Sequence, residues 1–246
     1  MISLRDQEQI GQKFAAEMLG PVKIDYFTER NLGLTMPGKT PCQFCKPARE
    51  MLQELAGLSD LISLRVHYFE DNTPEKAQFG VERVPGIVMR NVPGAIVKFY
   101  GIPGGTEFPM FIESIIDLSR GEVLLSEESA ASLAELETDI SLQVFVTPTC
   151  PYCPAMMRAA YQMAMVSPRV SAETIEVNEF PELADRFQVQ AVPLTVINDS
   201  VAIPGMVHEK HLTEQIMKVA KGESVEKAPP KRIERGKQRD SGLFIP

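Results

Sequence analysis

Two Cys-x-x-Cys pairs, each followed at the same distance by a Val-Pro step, constrain this chain more than any other feature. In chain order the pairs and their steps are Cys42–Cys45 with Val84-Pro85, and Cys150–Cys153 with Val192-Pro193. The two copies are offset by 108 residues, and these four are the only cysteines present. The repeat predicts a duplicated unit whose chemistry depends on paired thiols.

The spacing of each pair suits reversible disulfide chemistry. Two cysteines three residues apart at the start of a helix lie one turn apart, with Cα atoms about 5 Å from each other, which a disulfide can bridge. The helix N-terminus favours thiolate at the first cysteine, and thiolate is the attacking species. We therefore expect Cys42 and Cys150 to be nucleophiles, and Cys45 and Cys153 to lie deeper and resolve the mixed disulfide.

The residues between the cysteines differ, so the two sites should differ in reduction potential. The second pair encloses Pro151-Tyr152, and we expect Pro151 to occupy the first helical turn, where its fixed φ suits a helix. The first pair encloses Gln43-Phe44, which lacks that rigidity. Lys39 and Lys46 should add positive charge near Cys42 and further favour its thiolate.

The length of 246 residues suits two domains, and strand and helix patterns recur in the same order on both sides of a short linker. We predict units over 1–120 and 126–222 and a partly mobile C-terminal extension over 223–246. Counting back from the cysteines places an insertion of eleven residues, Arg30 to Thr40, in the first unit. It is interpreted as a surface loop, or alternatively as a lid over the Cys42 site.

The bulk composition indicates a soluble protein that does not act on nucleic acids. The formal net charge is −8, whereas phosphate binding needs basic patches. The sequence contains no run of eighteen apolar residues and opens without a signal-peptide core, so we expect no membrane span and a cytoplasmic location. In that reducing compartment, paired cysteines are more often catalytic or metal-binding than structural.

The segment Val144 to Pro154, which contains Cys-Pro-Tyr-Cys, resembles the second active site of the protein disulfide oxidoreductases, and Tyr100 to Phe108 is similar to a stretch of their first unit. The resemblance implies an α/β fold of two tandem thioredoxin-like units, each with a central mixed sheet flanked by helices. It also implies dithiol–disulfide exchange on protein substrates, as reductase, oxidase or isomerase. No cofactor would be bound, and the redox-active disulfides would be reduced indirectly from NADPH by a thioredoxin reductase-like flavoprotein.

The same resemblance assigns further residues. Pro85 and Pro193 would be cis and pack against the disulfides, and Val84 and Val192 would pair with the backbone of an extended substrate. Asp25 could be a buried acid that moves protons for Cys45, or a strand-end aspartate that faces water. The second unit has no matching acid, since Val144 occupies the aligned position.

Three alternatives remain open from the residues alone. The chain could be a dedicated electron relay from such a flavoprotein to a peroxidase. Two Cys-x-x-Cys pairs could also hold a structural zinc, although 104 residues between Cys45 and Cys150 exceed the usual spacing. The third is a non-catalytic peptide-binding module, with methionines as soft contacts.

Overall fold

The computed structural model describes residues 2–30, 41–71, 73–91 and 95–223, and within these ranges helices and strands alternate in two successive rounds. The helices are α1 Leu4–Glu17, α2 Cys45–Ala56, α3 Pro74–Gln78, α4 Glu107–Arg120, α5 Glu127–Ala134, α6 Cys153–Val166, α7 Pro181–Arg186 and α8 Glu209–Ala220. The strands are β1 Val22–Thr28, β2 Ile62–Tyr68, β3 Gly86–Arg90, β4 Ile96–Tyr100, β5 Ile140–Val146, β6 Val170–Glu176, β7 Leu194–Ile197 and β8 Val201–Pro204.

Local signals in the sequence set the starts of several helices. The Ser3 side chain accepts a hydrogen bond from the Asp6 N–H and caps α1. Thr73 caps α3 in the same way, and Pro74 occupies the first turn, where a missing N–H is tolerated. Gly121 ends α4 in the left-handed conformation, with φ of 66°, that glycine adopts without a Cβ clash.

One eight-stranded sheet in the order β2-β1-β3-β4-β6-β5-β7-β8 runs through both rounds. Strands β3 and β7 are antiparallel to β1 and β5 respectively, whereas β1, β2, β4, β5 and β6 all run the same way. The carboxyl ends of β1 and β5, which precede the two cysteine pairs, therefore lie at one edge of the sheet. They are four strand spacings apart, which is about 19 Å along the sheet.

Helices cover both faces of the sheet. One apolar cluster joins one face to helices of both rounds through Leu52 of α2, Ile115 of α4, Met157 of α6 and Ile216 of α8. A second cluster covers the other face with residues that include Phe79, next to α3, and Leu183 of α7. The predicted fold class, two tandem thioredoxin-like units with helices flanking a mixed sheet, is confirmed.

The two units meet where β4 pairs in parallel with β6. Across this junction the Lys98 Nζ lies 2.6 Å from the Glu173 Oε1, with both side chains largely buried. The Tyr161 hydroxyl of α6 donates to the Lys98 carbonyl at 2.8 Å. Val97 and Ala172, which lie opposite each other in these two strands, are fully buried in the first apolar cluster, so the junction is part of the hydrophobic core.

The strand register corrects the predicted alignment of the two units by one residue. Phe27 lies opposite Gly86, and Phe145 lies opposite Leu194. Gly86 and Leu194 are 108 residues apart, so Phe27 corresponds to Phe145, and Asp25 corresponds to Gln143 rather than to Val144. Aligning the two units by their distance from the cysteines gave an error of one residue. The extra residues of the first unit begin after Thr28, and that alignment placed their start after Phe27.

The same register gives an insertion of ten residues instead of eleven, since thirteen residues separate Thr28 from Cys42 and three separate Val146 from Cys150. The predicted insertion at Arg30 to Thr40 lies outside the described residues apart from Arg30. The predicted extension at 223–246 also lies outside them, apart from Glu223.

Two element boundaries also differ from prediction. The helices α2 and α6 begin at the second cysteine of each pair, so Cys42, Cys150 and Pro151 precede the helix, and Pro154 occupies the first turn of α6. Strand β6 begins at Val170, since the Ile140 N–H bonds to the Arg169 carbonyl and the pairing with β5 starts there.

Candidate active sites

Each cysteine pair is closed as a disulfide at the sheet edge described above. The Cα atoms are 5.5 Å apart in both Cys42–Cys45 and Cys150–Cys153, within the range that a disulfide bridges. Cys45 and Cys153 are the more buried member of each pair. This order of burial is the one expected if Cys42 and Cys150 attack and the second cysteines resolve, which stays a prediction.

At the second site, hydrogen bonds hold Cys150 and its sulfur at the N-terminus of α6. The Cys153 N–H donates to the Cys150 Sγ at 3.1 Å, and the Cys150 N–H donates to the Thr147 carbonyl at 3.1 Å. An N–H directed at a sulfur favours thiolate when the disulfide is reduced. The chain before α6 thus already has the geometry that a nucleophilic thiolate requires.

A cis proline lies in each unit where the resemblance placed one. The Val84–Pro85 and Val192–Pro193 peptide bonds are both cis. The Cys150 Sγ lies 3.7 Å from the Val192 carbonyl oxygen, so this Val-Pro step contacts the disulfide directly. Both prolines are buried and both valines are partly exposed. Pairing of the valines with a substrate backbone stays a prediction.

The residues between the cysteines face outward. Gln43 and Pro151 are exposed, and the aromatic side chains of Phe44 and Tyr152 are 39% and 58% exposed. The rings therefore lie on the protein surface next to each disulfide. Lys46 pairs at 3.8 Å with Glu50, and Lys39 lies outside the described residues.

Asp25 is buried, so the interpretation as a water-facing aspartate is wrong. Its carboxylate lies 2.8 Å from the His67 Nε2 and accepts a hydrogen bond from the Arg90 Nε at 2.9 Å. Neighbouring side chains of a strand point to opposite faces, and the next residue, Tyr26, donates its hydroxyl proton to the Cys45 carbonyl at 2.6 Å. Asp25 therefore points away from α2, and its position does not support proton transfer to Cys45.

The turn after β4 of the first unit packs against the second site. The Pro148 carbonyl accepts hydrogen bonds from the Thr106 N–H at 2.9 Å and the Thr106 hydroxyl at 3.2 Å. The same hydroxyl donates to the Cys150 carbonyl at 2.8 Å. Sequence reasoning missed Thr106, because the contact joins residues more than forty positions apart across the junction.

A cluster of buried carboxyl groups lies beside this turn. Glu107 is fully buried, accepts a hydrogen bond from the Gly104 N–H at 3.1 Å, and leaves its Oε1 without a partner among the described residues. Burial, with Glu176 and Glu179 nearby, raises the pKa of Glu107 from 4.5 to about 8. Burial and Glu176 raise the pKa of Glu179 to about 7, while Glu179 accepts from the Ile102 N–H at 2.8 Å. These groups can exchange protons near neutral pH.

Replacing Gly105 by alanine should damage the second site. Its φ is +49°, and an added Cβ would overlap the carbonyl oxygen of Pro148. We expect a loss of about 2 kcal/mol beyond that of Gly222→Ala, a left-handed glycine whose added Cβ would have no atom of the described residues within 4 Å. Urea unfolding and the rate of Cys150 alkylation after reduction measure the effect; equal behaviour of the two variants would contradict it.

The described residues include no cluster of three or more His, Cys, Asp or Glu side chains able to hold a metal ion. All four cysteines belong to this part of the chain, and each is joined to its own pair mate. In the same part of the chain, no helix has both the length and the apolar character needed to cross a bilayer.

Comparison with known proteins agrees with this geometry. A thioredoxin-domain family model matches residues 140–218. The thioredoxin of Methanocaldococcus jannaschii is 36% identical over 80 residues, which cover 32% of this chain and 94% of that protein. The chain belongs to the thioredoxin family. Within it, the structure is similar to a protein disulfide oxidoreductase from Aeropyrum pernix, with a TM-score of 0.81, 26% identity, and coverage of 93% of this chain and 97% of that one.

A second group of relatives is longer than this thioredoxin-family chain. An alkyl hydroperoxide reductase component from Xanthomonas campestris pv. phaseoli is 25% identical over 151 residues, covering 61% of this chain and 26% of that protein. The chain spans about a quarter to a third of the length of such reductase components. The predicted thioredoxin-like fold with two Cys-x-x-Cys disulfides is confirmed at the level of family and fold.

Proposed function

We propose that this protein is a thiol–disulfide oxidoreductase that exchanges dithiol and disulfide with protein substrates at both of its sites. The observation that carries the proposal is the pairing, twice in one chain, of a closed Cys-x-x-Cys disulfide with a cis Val-Pro step. The division at 1–120 and 126–222 then corresponds to two catalytic units, and 223–246 follows them as an extension.

The chemistry at the second site follows from the positions of the two sulfurs. In the reduced protein, the Cys150 thiolate attacks a substrate disulfide and forms a mixed disulfide, and one substrate sulfur leaves as thiolate. Cys153 loses its proton and attacks the Cys150 sulfur, which releases the second substrate thiolate. Two electrons pass to the substrate, and the Cys150–Cys153 disulfide closes again. Cys42 and Cys45 perform the same steps at the first site.

Substrate binding would use the strand edge beside the cis proline. Val84 and Val192 would pair with an extended substrate segment through their backbone, and Phe44 and Tyr152 would contact its side chains. The reducing equivalents would come indirectly from NADPH through a thioredoxin reductase-like flavoprotein, without a cofactor bound to this chain. We place this exchange in the cytoplasm, where such a reductant operates.

Reduction of insulin by dithiothreitol tests the proposal. We compare wild type, the double variants Cys42→Ser/Cys45→Ser and Cys150→Ser/Cys153→Ser, and the variant with all four serines. Each double variant should keep part of the activity, and the fourfold variant should show only the dithiothreitol background. A fourfold variant as active as wild type would exclude thiol chemistry and favour the peptide-binding alternative.

The similarity to alkyl hydroperoxide reductase components favours a second candidate, a dedicated electron relay to a peroxidase. The two candidates differ in substrate range. Reduced protein is mixed in separate reactions with insulin and with an oxidised cysteine peroxidase that consumes alkyl hydroperoxides. A rate at least about a hundredfold higher with the peroxidase would indicate the relay, whereas similar rates would indicate a general oxidoreductase.

A further inference from the structure

The turn between β4 and α4 is longer than its counterpart in the second unit. Gly101 and Gly205 are equivalent, because each donates its N–H to the carbonyl of the cis proline of its own unit. Five residues separate Gly101 from the start of α4, whereas three separate Gly205 from the start of α8. The longer turn of the first unit reaches the second cysteine pair, where Gly105 lies against the Pro148 carbonyl.

Thr106, the last residue of this turn, does not use its hydroxyl to cap α4. A threonine just before a helix ordinarily accepts a hydrogen bond from an N–H of the first turn. The equivalent residue before α8, His208, does so through its Nδ1, which accepts from the Lys210 N–H at 3.3 Å. Within the described residues the Thr106 hydroxyl makes no capping bond. It donates across the junction instead, to the Cys150 carbonyl at 2.8 Å, with the Pro148 carbonyl as a second acceptor at 3.2 Å.

The Cys150 carbonyl cannot obtain a donor from α6 in the usual way. In a helix, a carbonyl accepts a hydrogen bond from the N–H four residues later. Four residues after Cys150 stands Pro154, which has no N–H, and the Cys153 N–H is directed at the Cys150 Sγ at 3.1 Å. The Thr106 hydroxyl supplies a donor in their place. Lys46 holds the position of Pro154 in the first unit and does carry an N–H.

We propose that Thr106 is a positioning residue of the second active site, contributed by the first unit, that holds Cys150 where its sulfur accepts the Cys153 N–H. The inference rests on the proposed thiol–disulfide exchange and deepens it. Without the hydroxyl, the Cys150 carbonyl loses its donor and the segment before α6 is held less firmly. The Cys150 thiolate is then stabilised less by the Cys153 N–H, and because thiolate is the attacking species, Cys150 attacks more slowly.

Removal of an uncharged hydroxyl leaves the titratable groups around Cys150 in place. On the side of the cis proline, the group that faces the Cys150 sulfur is the uncharged Val192 carbonyl, at 3.7 Å. The titratable side chains beside the turn and within the Cys-x-x-Cys motif are Glu107, Glu176, Glu179 and Tyr152. A change in the pH dependence of the Cys150 reaction would therefore come from the lost hydroxyl.

Alkylation of reduced Cys150 by iodoacetamide tests the proposal in Cys42→Ser/Cys45→Ser protein, in which Cys153 is fully buried. Thr106→Val keeps the shape of the side chain and removes the hydroxyl. Below the midpoint of the curve of rate against pH, we expect the rate to fall about fivefold, as the loss of one hydrogen bond of ordinary strength predicts. The midpoint should rise by about 0.7 pH unit with it. Thr106→Ser keeps the hydroxyl and should restore both.

Two controls confine the effect to the second site. Thr138→Val makes the same substitution at an exposed threonine near the opposite end of β5 from Cys150, and should leave the curve unchanged. In Cys150→Ser/Cys153→Ser protein, Thr106→Val should leave the alkylation rate of Cys42 unchanged.

Three results would overturn the role of Thr106 while exchange at both sites stands. They are an unchanged curve for Thr106→Val, a Thr106→Ser curve that follows that of the valine variant, and an equal loss of rate at Cys42. A different result concerns the proposed function itself. If Cys42→Ser/Cys45→Ser protein with Thr106 in place does not catalyse insulin reduction by dithiothreitol, the second site does not perform exchange, and the inference fails with it.

Discussion

Lys98→Met is expected to destabilise the protein by about 3 kcal/mol, a substantial fraction of the roughly 5–15 kcal/mol typical of a folded domain. Lys98 Nζ lies 2.6 Å from Glu173 Oε1, with side-chain exposures of 9% and 12%. It also donates to the Phe79 carbonyl at 3.1 Å. Among the described residues, removing the lysine leaves a buried carboxylate with only Arg83, at 3.8 Å, as a cationic neighbour.

Urea unfolding measures this loss of stability. Two further variants show whether the loss comes from the unpaired buried carboxylate. Lys13→Met removes a lysine whose ion pairs are one-third exposed, so it should change stability by less than about 1 kcal/mol. The double variant Lys98→Met/Glu173→Leu removes both charges and should recover most of the loss. A single Lys98→Met variant as stable as Lys13→Met would show that the junction does not depend on this pair.

The position of the pair also gives the prediction a functional consequence. Lys98 and Glu173 face each other in the strands β4 and β6, through which the two units share one sheet. The turn that follows β4 carries Thr106, which bonds to the carbonyls of Pro148 and Cys150. Loosening the junction should therefore slow exchange at the second site more than at the first.

Much of the fold was predictable because its signals are local. Capping by Ser3 and Thr73 requires only residues within one helical turn. The disulfides follow from a three-residue spacing, and the repeated Val-Pro step follows from comparing one half of the sequence with the other. Each of these features concerns residues that stay close along the chain or repeat at a constant offset.

The features that were predicted wrongly or missed are alignments and contacts that depend on how the strands pair. Asp25 and its counterpart could not be aligned by counting to the cysteines, because the start of the insertion depends on hydrogen bonds between strands. Glu29 looked like an ordinary residue after a strand, and the hydrogen bond that its carboxylate accepts from the Cys42 N–H spans thirteen positions. Such contacts need the register of the sheet before they can be predicted.

Glu107 was missed for the same reason, although it lies in the Tyr100 to Phe108 stretch singled out for its resemblance. A glutamate in the first turn of a helix ordinarily faces water and favours the helix dipole. Here the second unit covers it, so its exposure is zero. Only the pairing of β4 with β6 brings the covering residues there.

The buried Glu107 should make stability fall as the pH rises. Its pKa is about 8 in the folded protein against 4.5 when exposed, so between these values the folded state holds a proton that the unfolded state has lost. The protonated Glu107 carboxyl makes its full contribution to the free energy of unfolding below about pH 4.5. That contribution decreases as the pH rises and is lost as the pH passes through about 8. At about 1.4 kcal/mol per pKa unit, the rise from 4.5 to about 8 corresponds to a loss on the order of 5 kcal/mol.

Unfolding free energies from urea titrations at about pH 5, 6, 7 and 8 test this prediction. Glu107→Gln mimics the protonated carboxyl at every pH, so its slope of stability against pH should be clearly flatter than that of wild type. Glu128→Gln is the matched control, because Glu128 is exposed and its partner Lys210 lowers its pKa instead. Equal slopes for wild type and Glu107→Gln would mean that Glu107 is already ionised in the folded protein. The second site would then have a fixed negative charge beside Thr106 rather than a group able to exchange a proton near neutral pH.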